Sequence, residues 1–220
     1  MSILEFSNVS FSNDGKSILK NLNIHIESGD YISIVGPSGS GKSTFLKLCN
    51  NLISPSEGNI SFNNKNISEY NPIELRKEIA YCFQMPHLFG NTVMDNLSFP
   101  FKIRNKKVDM DRIKYLFSLF SMDEEFIDEK VLNLSGGEKQ RIALMRTLMF
   151  APEILLLDEV TSALDSENTL IVENIINKLN SEGSTVLWVT HNKEQSTKYA
   201  NKLLTLENGE IKSLEVLKNE

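Results

Sequence analysis

With 220 residues, 40% of them hydrophobic and 24% charged, the chain suits one globular domain, or one domain carrying an inserted lobe, and excludes a disordered polymer. A chain of this length buries roughly 70% of its unfolded surface and needs no disulfide or metal staple. The net charge of −6 places nucleic acid low among expected partners, because a free-standing binder of this size is more often basic.

No apolar run approaches the ~18 residues of a membrane span, and the polar start Met1-Ser2-Ile3-Leu4-Glu5 does not read as a signal peptide. Any membrane role is therefore expected through a partner. Cys49 and Cys82 form neither a metal spacing nor a disulfide framework and read as reduced thiols.

In chain order, Leu22, Ile24 and Ile26 alternate with Asn23, His25 and Glu27, the pattern of a half-buried strand. Ser28-Gly29-Asp30 turns into an apolar strand, Tyr31 to Val35. A glycine-rich loop follows, then a helix from about Ser43 to Leu52. Pro55 to Asn59 reads as a turn before a strand at Ile60 to Phe62. Asn71 caps a short helix with Pro72 at its first position, where a missing N–H costs nothing. Tyr81 to Phe83 reads as a strand.

From about Met85 to Phe150 the period becomes helical, as in Ile113, Leu116, Phe117 and Phe120, with no strand signal. The charges from Asp123 to Lys130 look like a solvated helical face. Strands return at Ile154 to Leu157 and Thr185 to Val189. Between them lies a helix bearing Ile171, Ile175 and Leu179 on one face. Leu203 to Leu206, Asn208-Gly209 and Ile211 predict a hairpin with a type I′ turn. The expected architecture is a mixed α/β core interrupted by a helical lobe.

Three runs carry chemistry. Gly36-Pro37-Ser38-Gly39-Ser40-Gly41-Lys42-Ser43, followed by Thr44, fits G-x-x-x-x-G-K-[ST] between a strand and a helix. Glycines let the backbone curl around phosphates so that N–H groups and the helix N-terminus face the charge. Lys42 would reach the β- and γ-phosphates, and Ser43 would ligate Mg²⁺. Ile154 to Glu159 reads as a buried parallel strand ending in two carboxylates, and ligands bind at the carboxyl ends of such strands. Asp158 would hold Mg²⁺ and Glu159 polarise water, although either carboxylate could also cap a helix. Leu134-Ser135-Gly136-Gly137-Glu138-Lys139-Gln140-Arg141 offers a second anion-binding helix start, with Ser135 as its cap and a helix running to Phe150.

Together these runs resemble the nucleotide-binding subunit of an ABC transporter over essentially the whole chain. Gly36 to Ser43 resembles Walker A, Leu134 to Arg141 the LSGGQ-type signature, and Ile154 to Glu159 Walker B with its catalytic glutamate. Ser162-Ala163-Leu164-Asp165 resembles the D-loop, Gln84 the Q-loop glutamine and His191 the switch histidine. The resemblance implies a P-loop NTPase (RecA-like) α/β core with an antiparallel β subdomain and an inserted α-helical subdomain. Residues 1–84 and 151–220 would form the core and 85–150 the helical lobe. It also implies ATP and Mg²⁺ as cofactors, with Gln84 joining Ser43 and Asp158 as a metal ligand. ATP would be sandwiched in a homodimer, where Ser135, Gly136, Gly137 and Asp165 act in trans, and Gln84 would link nucleotide state to movement of the lobe. A transmembrane permease subunit is the implied partner, at the cytoplasmic side of the membrane, with no nucleic acid.

Departures from the family pattern are Glu138 in place of glutamine and Val160 in place of proline. The family's adenine-stacking aromatic would fall near Asn13; Phe11, two residues earlier, is either its substitute or a core side chain. His25, His87 and Trp188 are expected to be structural. A P-loop kinase would lack Leu134 to Arg141, a DNA-repair relative would carry a long coiled coil, and a translation-associated relative would carry two such domains.

Within the family, Tyr81 to Asn105, Leu52 to Pro55 and Leu187 to His191 resemble the ATPases of Fet-type bacterial iron exporters. The same subgroup resembles a plant aluminium-tolerance ATPase, and phosphate-importer ATPases are the alternative. The C-terminal stretch is expected to leave no room for the regulatory domain of sugar and metal importers. The apolar residues from Met85 to Phe101 predict a docking groove for the permease.

Overall fold

The computed structural model describes residues 2–217. They divide into two compact units. One comprises the chain up to Tyr81, Pro152–Glu159 and the residues from Asn180 on; the other comprises Cys82–Ala151 and Val160–Leu179. The stretch 160–179, grouped with the core in the sequence reading, therefore clusters with the helical residues.

The first unit holds two sheets. A four-stranded antiparallel sheet has the order β2-β1-β4-β5, from β1 (Ser2–Asn13), β2 (Lys16–Glu27), β4 (Glu57–Phe62) and β5 (Lys65–Asn66). A six-stranded sheet has the order β10-β9-β3-β8-β7-β6. Its strands are β3 (Tyr31–Val35), β6 (Ile79–Cys82), β7 (Ile154–Asp158), β8 (Thr185–Val189), β9 (Lys202–Glu207) and β10 (Glu210–Val216). β7, β8, β3 and β9 run parallel, and β10 returns antiparallel. Strands buried on both faces read as continuous apolar runs, which is why β7 and β8 were visible in sequence. β1 was not, because its inward residues Leu4, Phe6 and Val9 are displaced from strict alternation by register shifts.

α1 (Lys42–Cys49) sits between the sheets' apolar faces; its Phe45 stacks on Phe6 with ring centres 4.8 Å apart. It ends three residues before the expected Leu52. α2 (Pro72–Glu78) is capped by Asn71, whose Oδ1 accepts from Ile73 and Glu74 N–H. The β9–β10 turn has Asn208 at φ 53° and Gly209 at φ 82°, the type I′ geometry expected from Asn-Gly. α7 (Lys193–Lys198) starts at Asn192.

The second unit contains α3 (Val93–Lys102), α4 (Met110–Leu119), α5 (Gly136–Thr147) and most of α6 (Ser166–Ser181). Ile113, Leu116, Phe117 and Phe120 are all buried, as their spacing required. Asp123 to Lys130 is not an α-helical face: Glu124–Asp128 forms a 3-10 turn started by Asp123. On α6 the buried face is Val172, Ile175 and Ile176, while Ile171 and Leu179 are half-buried, so the helix is rotated by about one residue from the sequence reading. Arg112 satisfies the end of α5 by donating to Leu148 O (2.8 Å) and Met149 O (3.1 Å). No helix among the described residues is long and apolar enough to cross a membrane.

Candidate functional site

The loop from Gly36 to Gly41 leaves β3 and enters α1 through three positive-φ glycines: Gly36 (147°), Gly39 (77°) and Gly41 (100°). Gly36 is also sterically obligatory: a Cβ there would lie 2.0 Å from the backbone oxygen of Leu206, whereas one on Gly41 would lie 2.5 Å from the end of the Leu19 side chain, which would have to shift. The β9 backbone and β2 thus form a wall that closes the loop from behind.

Lys42 folds back into this loop, its Nζ donating to Gly36 O (3.0 Å) and Pro37 O (2.9 Å). Only 6% of Lys42 is exposed, so desolvation pulls its ammonium below the usual lysine range, against the opposing pull of Glu159 and Asp158. Ser40 Oγ is buried with no hydrogen-bond partner among the described residues. A cradle of glycines, a sequestered ammonium and an orphaned hydroxyl suits a polyanionic ligand.

Asp158 ends β7 with both oxygens engaged: Ser43 Oγ donates to Oδ1 at 2.9 Å and Tyr81 OH to Oδ2 at 2.7 Å. Ser43 and Asp158 place hard oxygen donors side by side, the donor type magnesium takes. Gln84, the expected third ligand, belongs to the second unit and is exposed there.

Glu159 follows at φ 50°, a left-handed conformation that is strained for a side-chain-bearing residue. Its N–H donates to Val189 O (3.1 Å), and His191 Nε2 lies 2.9 Å from its Oε1. Around His191 the backbone is tied down. Thr190 Oγ1 and Gln195 Oε1 are 2.5 Å apart, and Asn192 Oδ1 accepts from Glu194 and Gln195 N–H. The first unit thus assembles Gly36–Ser43, Asp158, Glu159 and His191 from three separate segments, Ser43 and Asp158 being 115 residues apart. Thr44 follows within α1, half-buried.

The second unit carries the remaining expected residues. Ser135 caps α5 in a capping box: its Oγ accepts from Glu138 N–H (3.3 Å), and Glu138 Oε2 accepts from Ser135 N–H (2.7 Å). Glu138, a departure from the family pattern, therefore has a local structural task. Gly136 faces open space, and a Cβ on Gly137 would meet Leu164 Cδ2 at 3.5 Å. Asp165 starts α6. The Asn168 N–H and side-chain amide hold its carboxyl below the usual range. Gln140 is fully buried, and its Nε2 reaches Phe83 O at 3.5 Å, one residue before Gln84.

Sequence reasoning missed Tyr81 and Gln195. Tyr81 opened the expected strand Tyr81 to Phe83, whereas the observed β6 runs Ile79–Cys82 and brings Tyr81 to its end, so no sequence signal marked it. Gln195 lies four residues beyond His191 with no pattern to mark it. Phe11 is half-buried against the core, and Asn13 bonds Asp14. His25 and His87 are exposed, and Trp188 is buried.

Comparison with known proteins extends these observations. The family described as ABC transporter matches residues 19–162. The "Probable iron export ATP-binding protein FetA" of Escherichia coli (strain K12) is 41% identical over 206 residues, covering 93% of this chain and 91% of that protein. The "Carnitine transport ATP-binding protein OpuCA" of Listeria monocytogenes serotype 1/2a (strain 10403S) is 34% identical, covering 90% of this chain but 51% of that protein. Among solved structures, a dimeric post-hydrolysis state of the ATP-binding cassette MJ0796 bound to ADP and Pi aligns with a TM-score of 0.88 and 31% identity. That alignment covers 99% of this chain and 100% of the other.

Proposed function

The chain belongs to the ABC transporter family as an ATP-binding, ATP-hydrolysing subunit, and from that premise we propose how its residues divide the work and what they drive. The backbone N–H groups of Gly36, Pro37's neighbour Ser38, Gly39, Ser40 and Gly41, with Lys42 and Thr44, hold the phosphates of ATP. Lys42 exchanges its two loop carbonyls for phosphate oxygens. Ser43 and Asp158, joined by Gln84, would hold Mg²⁺, which when bound would neutralise charge on the phosphate oxygens. Glu159 accepts a proton from the attacking water, help of a kind that contributes ~10²–10⁴-fold. His191 orients that carboxylate and contacts the terminal phosphate.

The site is completed in trans. Ser135, Gly136, Gly137 and Asp165 of a second copy close over the nucleotide, so the working unit is a homodimer. Support comes from the glycine-rich, capped start of α5 and from the dimeric MJ0796 cassette. The observation that carries the whole reading is at the carboxyl end of β7. There, consecutive carboxylates take different partners, Asp158 the loop serine and Glu159 the histidine. Glu159→Gln tests it. The variant is expected to bind ATP, lose at least about a hundredfold in turnover and run as an ATP-dependent dimer on sizing chromatography. Near-normal turnover would refute the assignment.

The subunit works with a separate transmembrane permease, at the cytoplasmic side of the membrane. Phe83 and Met85, which flank Gln84 in sequence, and Phe89 a few residues on are exposed to 40% or more, which supports docking there. The cargo is iron, moved outward, a reading supported by the near end-to-end match to the FetA protein. The match to the carnitine transport protein supports an importer as the alternative. Iron sensitivity in cells carrying Glu159→Gln separates the two; unchanged iron tolerance with impaired solute uptake would favour import.

A further inference from the structure

Residues 102–107 read Lys-Ile-Arg-Asn-Lys-Lys, four cations in six positions of a chain whose net charge is −6. The helix dipole accounts for the first two. Lys102 ends α3, and Arg104 Nη1 donates to Pro100 O at 3.3 Å, in the helix's last turn. Lys106 and Lys107 lie beyond the helix and are exposed, so the dipole gives no reason for them.

The cations are held in place. The Arg104 guanidinium sits 4.4 Å and the Lys106 ammonium 5.1 Å from the centre of the Phe150 ring. Phe150 in turn packs edge-on against Phe101 with centres 5.0 Å apart. Anchoring two like charges on one ring raises the local positive potential. Acids lie in the same unit: Asp109 caps α4, Asp111 sits in its first turn, and the Lys102 charge reaches Asp95 at the start of α3.

Large apolar groups lie alongside. Phe99 and Ile103 are one helical turn apart, with Ile103 N–H on Phe99 O (3.1 Å), and each is 40% exposed. Cations interleaved with exposed Phe and Ile form the pattern by which a surface meets lipid headgroups: charge attracts the anionic phosphates, and the apolar groups enter the acyl boundary. The chain's overall negative charge does not oppose this, because acids more than about 8 Å away are screened at physiological salt.

We propose that residues 99–107 form a contact surface for anionic phospholipid headgroups. The exposed Lys102, Lys106 and Lys107 bind the phosphates, while Phe99 and Ile103 insert. The membrane-subunit reading accounts for how the surface comes to lie near lipid; the chemistry stands on these residues alone. Such a contact orients the helical unit against the bilayer in addition to any hold by the permease.

The test uses the purified full chain, without nucleotide or permease. It is mixed with vesicles of phosphatidylcholine alone, or of phosphatidylcholine and phosphatidylglycerol in equal parts. Co-sedimentation is expected with the mixed vesicles only, weakening steeply as salt is raised. Lys102→Glu/Lys106→Glu/Lys107→Glu is expected to lower that binding at least about tenfold, with solution ATPase unchanged and the fold retained by circular dichroism, at a modest cost in thermal stability from the lost helix-end and Phe150 contacts. Phe99→Ser/Ile103→Ser is expected to weaken binding without changing its salt dependence. The proposal fails if the wild type ignores mixed vesicles, binds both kinds equally, or is displaced by a single-stranded oligonucleotide at matched phosphate. It also fails if the charge-reversed variant binds as well as wild type. None of these outcomes touches the Glu159→Gln result, so the two ideas fail separately.

Discussion

At the scale of single residues, two glycines of the same loop have different reasons to be glycine. Gly36 combines φ 147° with a backbone oxygen 2.0 Å from where a Cβ would stand. Gly39 has φ 77° and nothing within 4 Å. Gly36→Ala is therefore expected to abolish ATP binding, because the Leu206 carbonyl cannot retreat without moving β9. Gly39→Ala carries only the conformational cost of about 1–2 kcal/mol and should weaken binding modestly. Equilibrium titration with a fluorescent ATP analogue distinguishes them, and equal losses would show that the wall behind Gly36 yields. His191 acts at the same scale. Its Nε2 is 2.9 Å from Glu159 Oε1, so His191→Ala should lower turnover at least about tenfold with little change in ATP affinity, read from kcat against KM.

Elements explain how the loop is held. Lys20 N–H donates to Gly209 O at 2.8 Å, and a Cβ on Gly209 would meet Ile18 O at 2.3 Å. Next in β2, Leu19 fills the space a Cβ on Gly41 would need. The β9–β10 turn therefore presses on β2, and β2 on the phosphate loop. Gly209→Ala is expected to cost about 2 kcal/mol or more in urea unfolding and also to weaken ATP binding. Asn71→Ala is the control. Losing the α2 cap should cost about 1 kcal/mol and leave ATP affinity unchanged, since Asn71 bonds only the start of its own helix. If both variants lowered affinity alike, the effect would be general destabilisation.

For the whole molecule, the decisive experiment concerns pairing. Lys42→Ala disables the loop of its own copy, and Ser135→Arg obstructs the partner's nucleotide from the start of α5. Each variant alone should lose hydrolysis, while Ser135→Arg keeps monomer ATP binding. Mixed together they should recover part of the activity, because one composite site of a mixed dimer carries both lesions and the other neither. No recovery on mixing, with dimers present by sizing chromatography, would mean that Ser135 does not act in trans.

Local chemistry was legible in the amino-acid order alone. A phosphate loop needs glycines at fixed offsets, a doubly buried strand is an unbroken apolar run such as Ile154 to Leu157, and Asn208-Gly209 dictates a type I′ turn. Those features are set by backbone sterics and by contacts a few residues apart. The rest depended on segments that meet only in the folded chain. β1 lost its alternation to register shifts, and α6 turned its apolar face by about a residue. Tyr81 gained its role only because β6 ends near β7 at Asp158. Gly36 is obligatory on account of the Leu206 carbonyl, a neighbour that no sequence spacing reveals, because tertiary packing alone brings those backbones into contact.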